Sequence, residues 1–257
     1  MFINILIVLL GVATGMLVNY LADVLPLRRR FSKPLCTACQ ADMPPVNYWL
    51  WPRRCLACGK HRCWRVWLVE AIYAVLAIWL WQTPLEKIGF WGGWLLLAYF
   101  GVVVVIDIEY RLILHPVSLV GVVIALGLGW ISNGLPSTLI GGAVGFGVMW
   151  LLYMLGELVM RLVARLRGET VDDVALGFGD VNLSGVLGLL LGWPGIVVGL
   201  VLAIFIGGAV SLLFMLGMAL TRRYRLFMAL PYGPFLIAGA VIVLFFRSSV
   251  IGYLLGN

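Results

Sequence analysis

Charge is what this sequence has least of. Only 11% of its 257 residues are Asp, Glu, Lys or Arg, against about 25% in an ordinary soluble domain, and that shortage excludes a water-solvated globule. Long polar stretches are scarce as well. Apolar runs recur along nearly the whole chain, and several approach the roughly 20 residues that cross a bilayer. No basic segment precedes the first run, Phe2 to Val18, and no convincing small-residue cleavage site follows it. It therefore reads as a retained span rather than a signal peptide. The two histidines, His61 and His115, stand in no partner pattern that would make either a catalytic base. A glycine-rich nucleotide loop after a strand is also missing, and no internal repeat stands out.

What is present divides into eight candidate spans, 2–22, 66–82, 90–107, 117–132, 137–162, 181–192, 195–220 and 231–254. The expected fold is an all-α polytopic membrane protein of about eight transmembrane helices, carrying one small polar insert. In domain terms this gives a first span at 1–22, the insert at 23–65 and a helical membrane domain at 66–257. With the N-terminus outside, the 23–65, 108–116, 163–180 and 221–230 connections face the cytoplasm. All but Lys87 and Arg247 of the eighteen basic residues then lie on or beside that side, as the positive-inside rule requires. The basic rim suits anionic lipid of the bilayer, so the net charge of +7 does not call for nucleic acid. Glycine pairs four apart (Gly11/Gly15, Gly141/Gly145, Gly188/Gly192 and Gly195/Gly199) suit close helix packing in lipid.

Four of the five cysteines form two pairs, Cys36-Thr-Ala-Cys39 and Cys55-Leu-Ala-Cys58, with fifteen residues between them. This spacing matches a four-thiolate zinc site, in which each C-x2-C turn aims two sulfurs at one tetrahedral ion. The insert is too small for much apolar core, so metal would supply folding energy. Disulfides are the alternative, disfavoured by a reducing cytoplasm. No open coordination position is in view, so the expected zinc is structural. Cys63 lies outside the pattern.

Acids inside a membrane are costly, about 2.5–3.5 kcal/mol at mid-bilayer on insertion scales, and each needs a reason. Asp107 ends the apolar run Leu95–Ile106, and Asp180 closes Gly177-Phe178-Gly179-Asp180 just before the sixth run. Both fall at cytoplasmic ends of spans. Two carboxyls sharing a site cannot both ionise; one holds a proton while the other activates water, the chemistry of aspartic proteolysis. Gly177 and Gly179 remove bulk beside Asp180 and would admit an extended backbone. The other acids have simpler readings. Glu157 and Arg161 can pair along one helix face, Glu109 is solvated in a connection, Asp23 meets water at the end of the first span, and Glu169, Asp172 and Asp173 form an acidic patch. A small transporter or channel is the competing reading of such intramembrane acids.

The motifs, taken in order, resemble a known family. They are Gly15-Met-Leu-Val-Asn19 through Leu25-Pro26, the two cysteine pairs, Val69-Glu70, Asp107 with Pro116, Gly-Phe-Gly-Asp180-Val, and Tyr232-Gly233-Pro234-Phe235-Leu236. Together they are similar to the type IV prepilin leader peptidases, bacterial members of the GxGD intramembrane aspartyl proteases. The resemblance implies that Asp107 and Asp180 are the catalytic pair, supported by Gly177, Gly179, Gly233 and Pro234. It implies cleavage after a glycine that ends the leader of a prepilin or pseudopilin, at the cytoplasmic face of the bacterial inner membrane. It also implies N-methylation of the new terminus from S-adenosylmethionine, with Glu70 as the methyl-transfer candidate. Asn182 stands where the family typically has lysine, and Val24 where an arginine usually precedes Leu-Pro.

Overall fold

The computed structural model describes residues 2–50, 52–167, 177–220 and 231–246. The acidic patch of Glu169, Asp172 and Asp173 lies outside these residues. Helices cover most of the described chain because a peptide group in hydrocarbon must be satisfied within its own segment. They are α1 (Phe2–Arg28), α2 (Pro45–Trp49), α3 (Arg65–Gln82), α4 (Gly89–Tyr110), α5 (His115–Asn133), α6 (Leu135–Arg167), α7 (Phe178–Leu191), α8 (Gly195–Leu220) and α9 (Gly233–Phe245). Each of the eight apolar stretches in the sequence carries a helix; α2 is an addition, lying in the polar insert. Six helices (α1, α3, α4, α5, α6 and α8) are long and apolar enough to cross a bilayer, whereas α7 and α9 are shorter. The chain therefore has the make-up of a multi-pass membrane protein.

Helix boundaries follow local chemistry. Pro116 and Pro234 sit in the first turns of α5 and α9, where a missing N–H costs nothing. Gly134 and Gly192 stop α5 and α7 with positive φ, as helix C-terminal glycines do.

The chain divides into two compact units after Tyr110. In the first, α1 packs along α3, and both touch α4. The fit of α1 on α3 depends on two missing side chains. A Cβ at Gly11 would lie 2.6 Å from the Tyr73 carbonyl oxygen, and one at Gly15 would lie 2.8 Å from the Glu70 Cα. The Tyr73 hydroxyl donates to the Leu97 carbonyl at 2.6 Å and ties α3 to the middle of α4.

In the second unit α7 packs against α5 and α6, while α8 pairs with α9. The α6 and α7 backbones nearly touch: a Cβ at Gly141 would come within 2.4 Å of the Gly188 carbonyl oxygen. Beside that contact, the Ser184 hydroxyl donates to the Gly145 carbonyl at 2.9 Å. Asn133, at the end of α5, donates its amide to the Leu190 carbonyl near the end of α7. Near its start α7 meets the other end of the same neighbour, where a Cβ at Gly179 would lie 2.8 Å from the Ile113 Cβ. The helices α5 and α7 thus run parallel, with their N-termini side by side.

Candidate active site and metal centre

The insert contains a repeat that the sequence does not advertise. Around Cys36 and again around Cys55, nineteen positions later, the backbone makes the same three hydrogen bonds. Cys36 donates to Ala41 and accepts from Gln40, as Cys55 donates to Lys60 and accepts from Gly59. Met43 donates to Pro34, as Arg62 donates to Arg53. Short bridges Leu35–Asp42 and Arg54–His61 close the two hairpins, and the left-handed residue is Gln40 in one and Gly59 in the other. The only side chains common to the two hairpins along this stretch are Cys, Ala and Cys, which is why the repeat is hidden.

The two hairpins bring Cys36, Cys39, Cys55 and Cys58 together with all four sulfurs within 4.8 Å of one another. Cys36–Cys58 and Cys39–Cys55 are each 3.7 Å apart. A disulfide needs about 2.05 Å, whereas sulfurs around a tetrahedral zinc with bonds of about 2.3 Å stand about 3.8 Å apart. The four residues thus fit a metal ion. Their electrostatics point the same way. The Cys58 and Ala57 N–H groups lower the Cys55 thiol to about 7. The Ala41 N–H favours the Cys39 thiolate, yet the neighbouring sulfurs push that thiol up to about 12. Four thiolates cannot share so small a volume without a cation between them.

The two candidate carboxylates occupy opposite kinds of helix end. Asp107 lies in the last turns of α4, in the first unit, and is buried. Asp180 lies in the first turn of α7, in the second unit, and is half-buried. Its N–H donates to the Gly177 carbonyl at 3.0 Å, and among the described residues a Cβ at Gly177 would meet nothing nearer than the Asp180 Oδ2 at 3.5 Å. At Gly179 the vacant space is instead filled by Ile113. Gly233 and Pro234 open α9, and the preceding Tyr232 lies close enough for the Asp180 charge to act on its phenol.

A family model described as the type IV leader peptidase family matches residues 94–212, a stretch that contains both aspartates. A prepilin leader peptidase/N-methyltransferase from Aeromonas hydrophila is 28% identical, over 83% of this chain and 69% of the relative. One from Pectobacterium carotovorum subsp. carotovorum is 30% identical, over 80% of this chain and 71% of the relative. The chain belongs to the type IV leader peptidase family. A further leader peptidase/N-methyltransferase, from Dichelobacter nodosus, is 30% identical over 82% of the chain and 68% of the relative. No solved structure matches the chain significantly.

In this leader peptidase chain the insert is bolted to the first unit by buried ions. Asp23 is wholly buried rather than wet. It accepts from Arg62 at 2.7 Å, from the Tyr48 hydroxyl at 2.6 Å and from Arg65. The Arg62 guanidinium also lies 3.8 Å over the Tyr48 ring. Burial and the Asp23 charge hold the Tyr48 phenol well above its ordinary range, so it acts as a donor. Glu109 is not a solvated connection residue either: it sits on α4 and pairs with Arg65. Glu157 pairs with Arg161 at 2.8 Å and accepts from Tyr153 as well.

Glu70 is buried on α3, and its partner is Arg53 at 2.9 Å. Arg53 in turn covers the Trp67 ring at 4.2 Å and donates to the Trp49 carbonyl. One carboxylate oxygen, Glu70 Oε1, has no hydrogen-bond partner among the described residues. The same is true of Asn19 Oδ1 on α1, whose amide nitrogen donates to the Val66 carbonyl. Two buried acceptors without donors suit a group that brings N–H bonds with it. The sequence signal for Asn19 was its place in the Gly15–Asn19 motif; nothing local marked Asp23 or Arg65.

Proposed function

We propose that this chain is a membrane aspartyl endopeptidase that removes the leader from prepilins or pseudopilins and then N-methylates the exposed terminus. What supports this most is family membership, with both Asp107 and Asp180 inside the stretch that matches the family. The related proteins are named for both activities.

In this reading Asp107 and Asp180 form the catalytic dyad. The N-terminus of α7 favours negative charge, and the C-terminus of α4 does not. Asp180 accordingly takes the ionised role and deprotonates water, while Asp107 holds the proton and gives it to the scissile carbonyl. Gly177, which carries no side chain, admits the peptide backbone, and Gly233 and Pro234 shape the wall beside Tyr232. The four cysteines hold zinc, which crosslinks the 23–65 insert. Methyl transfer draws its methyl group from S-adenosylmethionine. Glu70 and Asn19 offer acceptor oxygens that orient the substrate's new amine, and the Glu70 carboxylate takes up its proton. About eight spans, the cytoplasmic insert and an active site at the cytoplasmic face of the bacterial inner membrane complete the proposal.

The test is mass spectrometry of a pilin-type precursor incubated with the purified chain and S-adenosylmethionine. Loss of the leader plus a methyl group is the expected product. Asp107→Asn and Asp180→Asn should each abolish cleavage while leaving the protein folded, because an amide cannot exchange the required proton. Substantial turnover by either variant refutes the dyad.

A further inference from the structure

The strongest unexplained feature of the first unit is a single guanidinium that touches three helices. Arg65 opens α3; one of its terminal nitrogens bonds Asp23 on α1, and the other bonds Glu109 in the last turn of α4. Asp23 is itself immobilised, held by Arg62 and Tyr48 from the insert. The arm of Arg65 that reaches α4 therefore starts from a fixed anchor. Asp107 lies two residues before Glu109, on the buried side of the same turn.

We propose that Arg65 is a positioning residue for Asp107: through Glu109 it fixes the last turn of α4 against α1 and α3, and so sets where the Asp107 carboxyl is presented. This rests on the reading of Asp107 as half of the catalytic pair. The geometry separates placement from stability. Midway along α4, the Tyr73–Leu97 hydrogen bond already secures the helix to α3. Leu97 lies twelve residues before Glu109, about 18 Å along the helix, so a small tilt about that tie moves the far end by a larger distance. The side chain of Glu109 is 32% exposed, and a partly exposed ion pair contributes little to folding. Catalysis is less forgiving, since misplacing a reacting group by about 1 Å can cost roughly 100-fold.

The experiment uses the purified full chain in lipid, a prepilin peptide, and the variants Glu109→Gln, Arg65→Lys, Arg65→Gln and the Arg65→Gln/Glu109→Gln double. Glu109→Gln should lower kcat roughly tenfold with KM within about twofold, while melting temperature and bound metal stay at wild-type values. Arg65→Lys should recover part of what Arg65→Gln loses. The double variant should be no slower than Arg65→Gln, because both changes cut one tie. Asp42→Asn, which removes the exposed partner of Arg28, should leave kcat alone. Unchanged kcat in Glu109→Gln overturns the proposal. Additive losses in the double variant, or a change confined to KM, overturn it as well. A wild-type chain that cleaves no prepilin peptide refutes the protease reading instead, and the two failures are told apart by that control.

Discussion

Replacing Asp23 by alanine is the most severe single test of the first unit. The side chain is fully buried and receives three donors, from Arg62, Arg65 and Tyr48. Removing one member of a buried ion pair costs about 3–5 kcal/mol, because the other charge is left without compensation. Two features place Asp23→Ala near the lower end. Arg65 keeps Glu109, and Arg62 keeps the Tyr48 carbonyl at 3.2 Å and the Tyr48 ring. A loss of about 3 kcal/mol is a large part of the 5–15 kcal/mol that holds most proteins folded. For a chain of this size it corresponds to a fall in Tm of about 6–12 °C. Thermal unfolding in detergent micelles, followed by tryptophan fluorescence, reads it directly. Asp23→Asn should lose less, since an amide oxygen still accepts from Tyr48. The matched control is Asp42→Asn, at an exposed residue that pairs with a half-buried Arg28; its Tm should not move measurably. If Asp23→Ala also shifts Tm by less than about 2 °C, the carboxylate is solvated and the buried cluster is wrong.

Three further outcomes are expected. One zinc ion per chain should copurify, and Cys36→Ser/Cys55→Ser should abolish it by elemental analysis, since each hairpin alone supplies only two sulfurs. Gly141→Leu should separate α6 from α7 at their closest approach and lower stability by about 1–3 kcal/mol or more, seen as a Tm loss that a lipid-facing Leu139→Ala does not share. The two chemistries should separate: Asp180→Asn should still methylate a substrate supplied already cleaved. Glu70→Gln should cleave normally yet leave the new terminus unmethylated, and normal methylation there removes Glu70 from the mechanism.

Local signals in the sequence foretell local features of the structure well. Each apolar run became a helix, and the proline and glycine positions mark where α5, α7 and α9 start or stop. The paired C-x2-C turns foretold the four-sulfur cluster because a turn of that length has few ways to point two sulfurs. Glu157 and Arg161 met because four residues make one helical turn. The failures share a different cause. Asp23 reads as a wet helix end until Arg62 and Arg65, some forty residues on, fold over it. Arg53 reads as a residue of the polar insert, but the insert turns it inward onto Glu70 while Asp23 claims Arg62 and Arg65. Glu109 was placed in a connection because α4 runs three residues beyond its apolar stretch. Gly179 reads as clearance for substrate but is the seat of Ile113. In each case the deciding neighbour is distant along the chain, and composition windows do not carry that information.

The brevity of α7 has a consequence for water. Its fourteen residues rise about 21 Å, while the hydrocarbon layer of a bilayer is about 30 Å thick. As one of the eight proposed spans, a helix that falls about 9 Å short cannot keep both ends at the lipid headgroups. The bilayer thins around it or the aqueous phase dips to reach it. Asp180 is in the first turn, at the end where that dip would form. A hydrolase confined to lipid has to bring in its second substrate, water, and in that arrangement hydrophobic mismatch at one short helix would do so without a built channel. Lengthening α7 by a turn would then impair hydrolysis by dehydrating the carboxylate, even with every catalytic side chain kept.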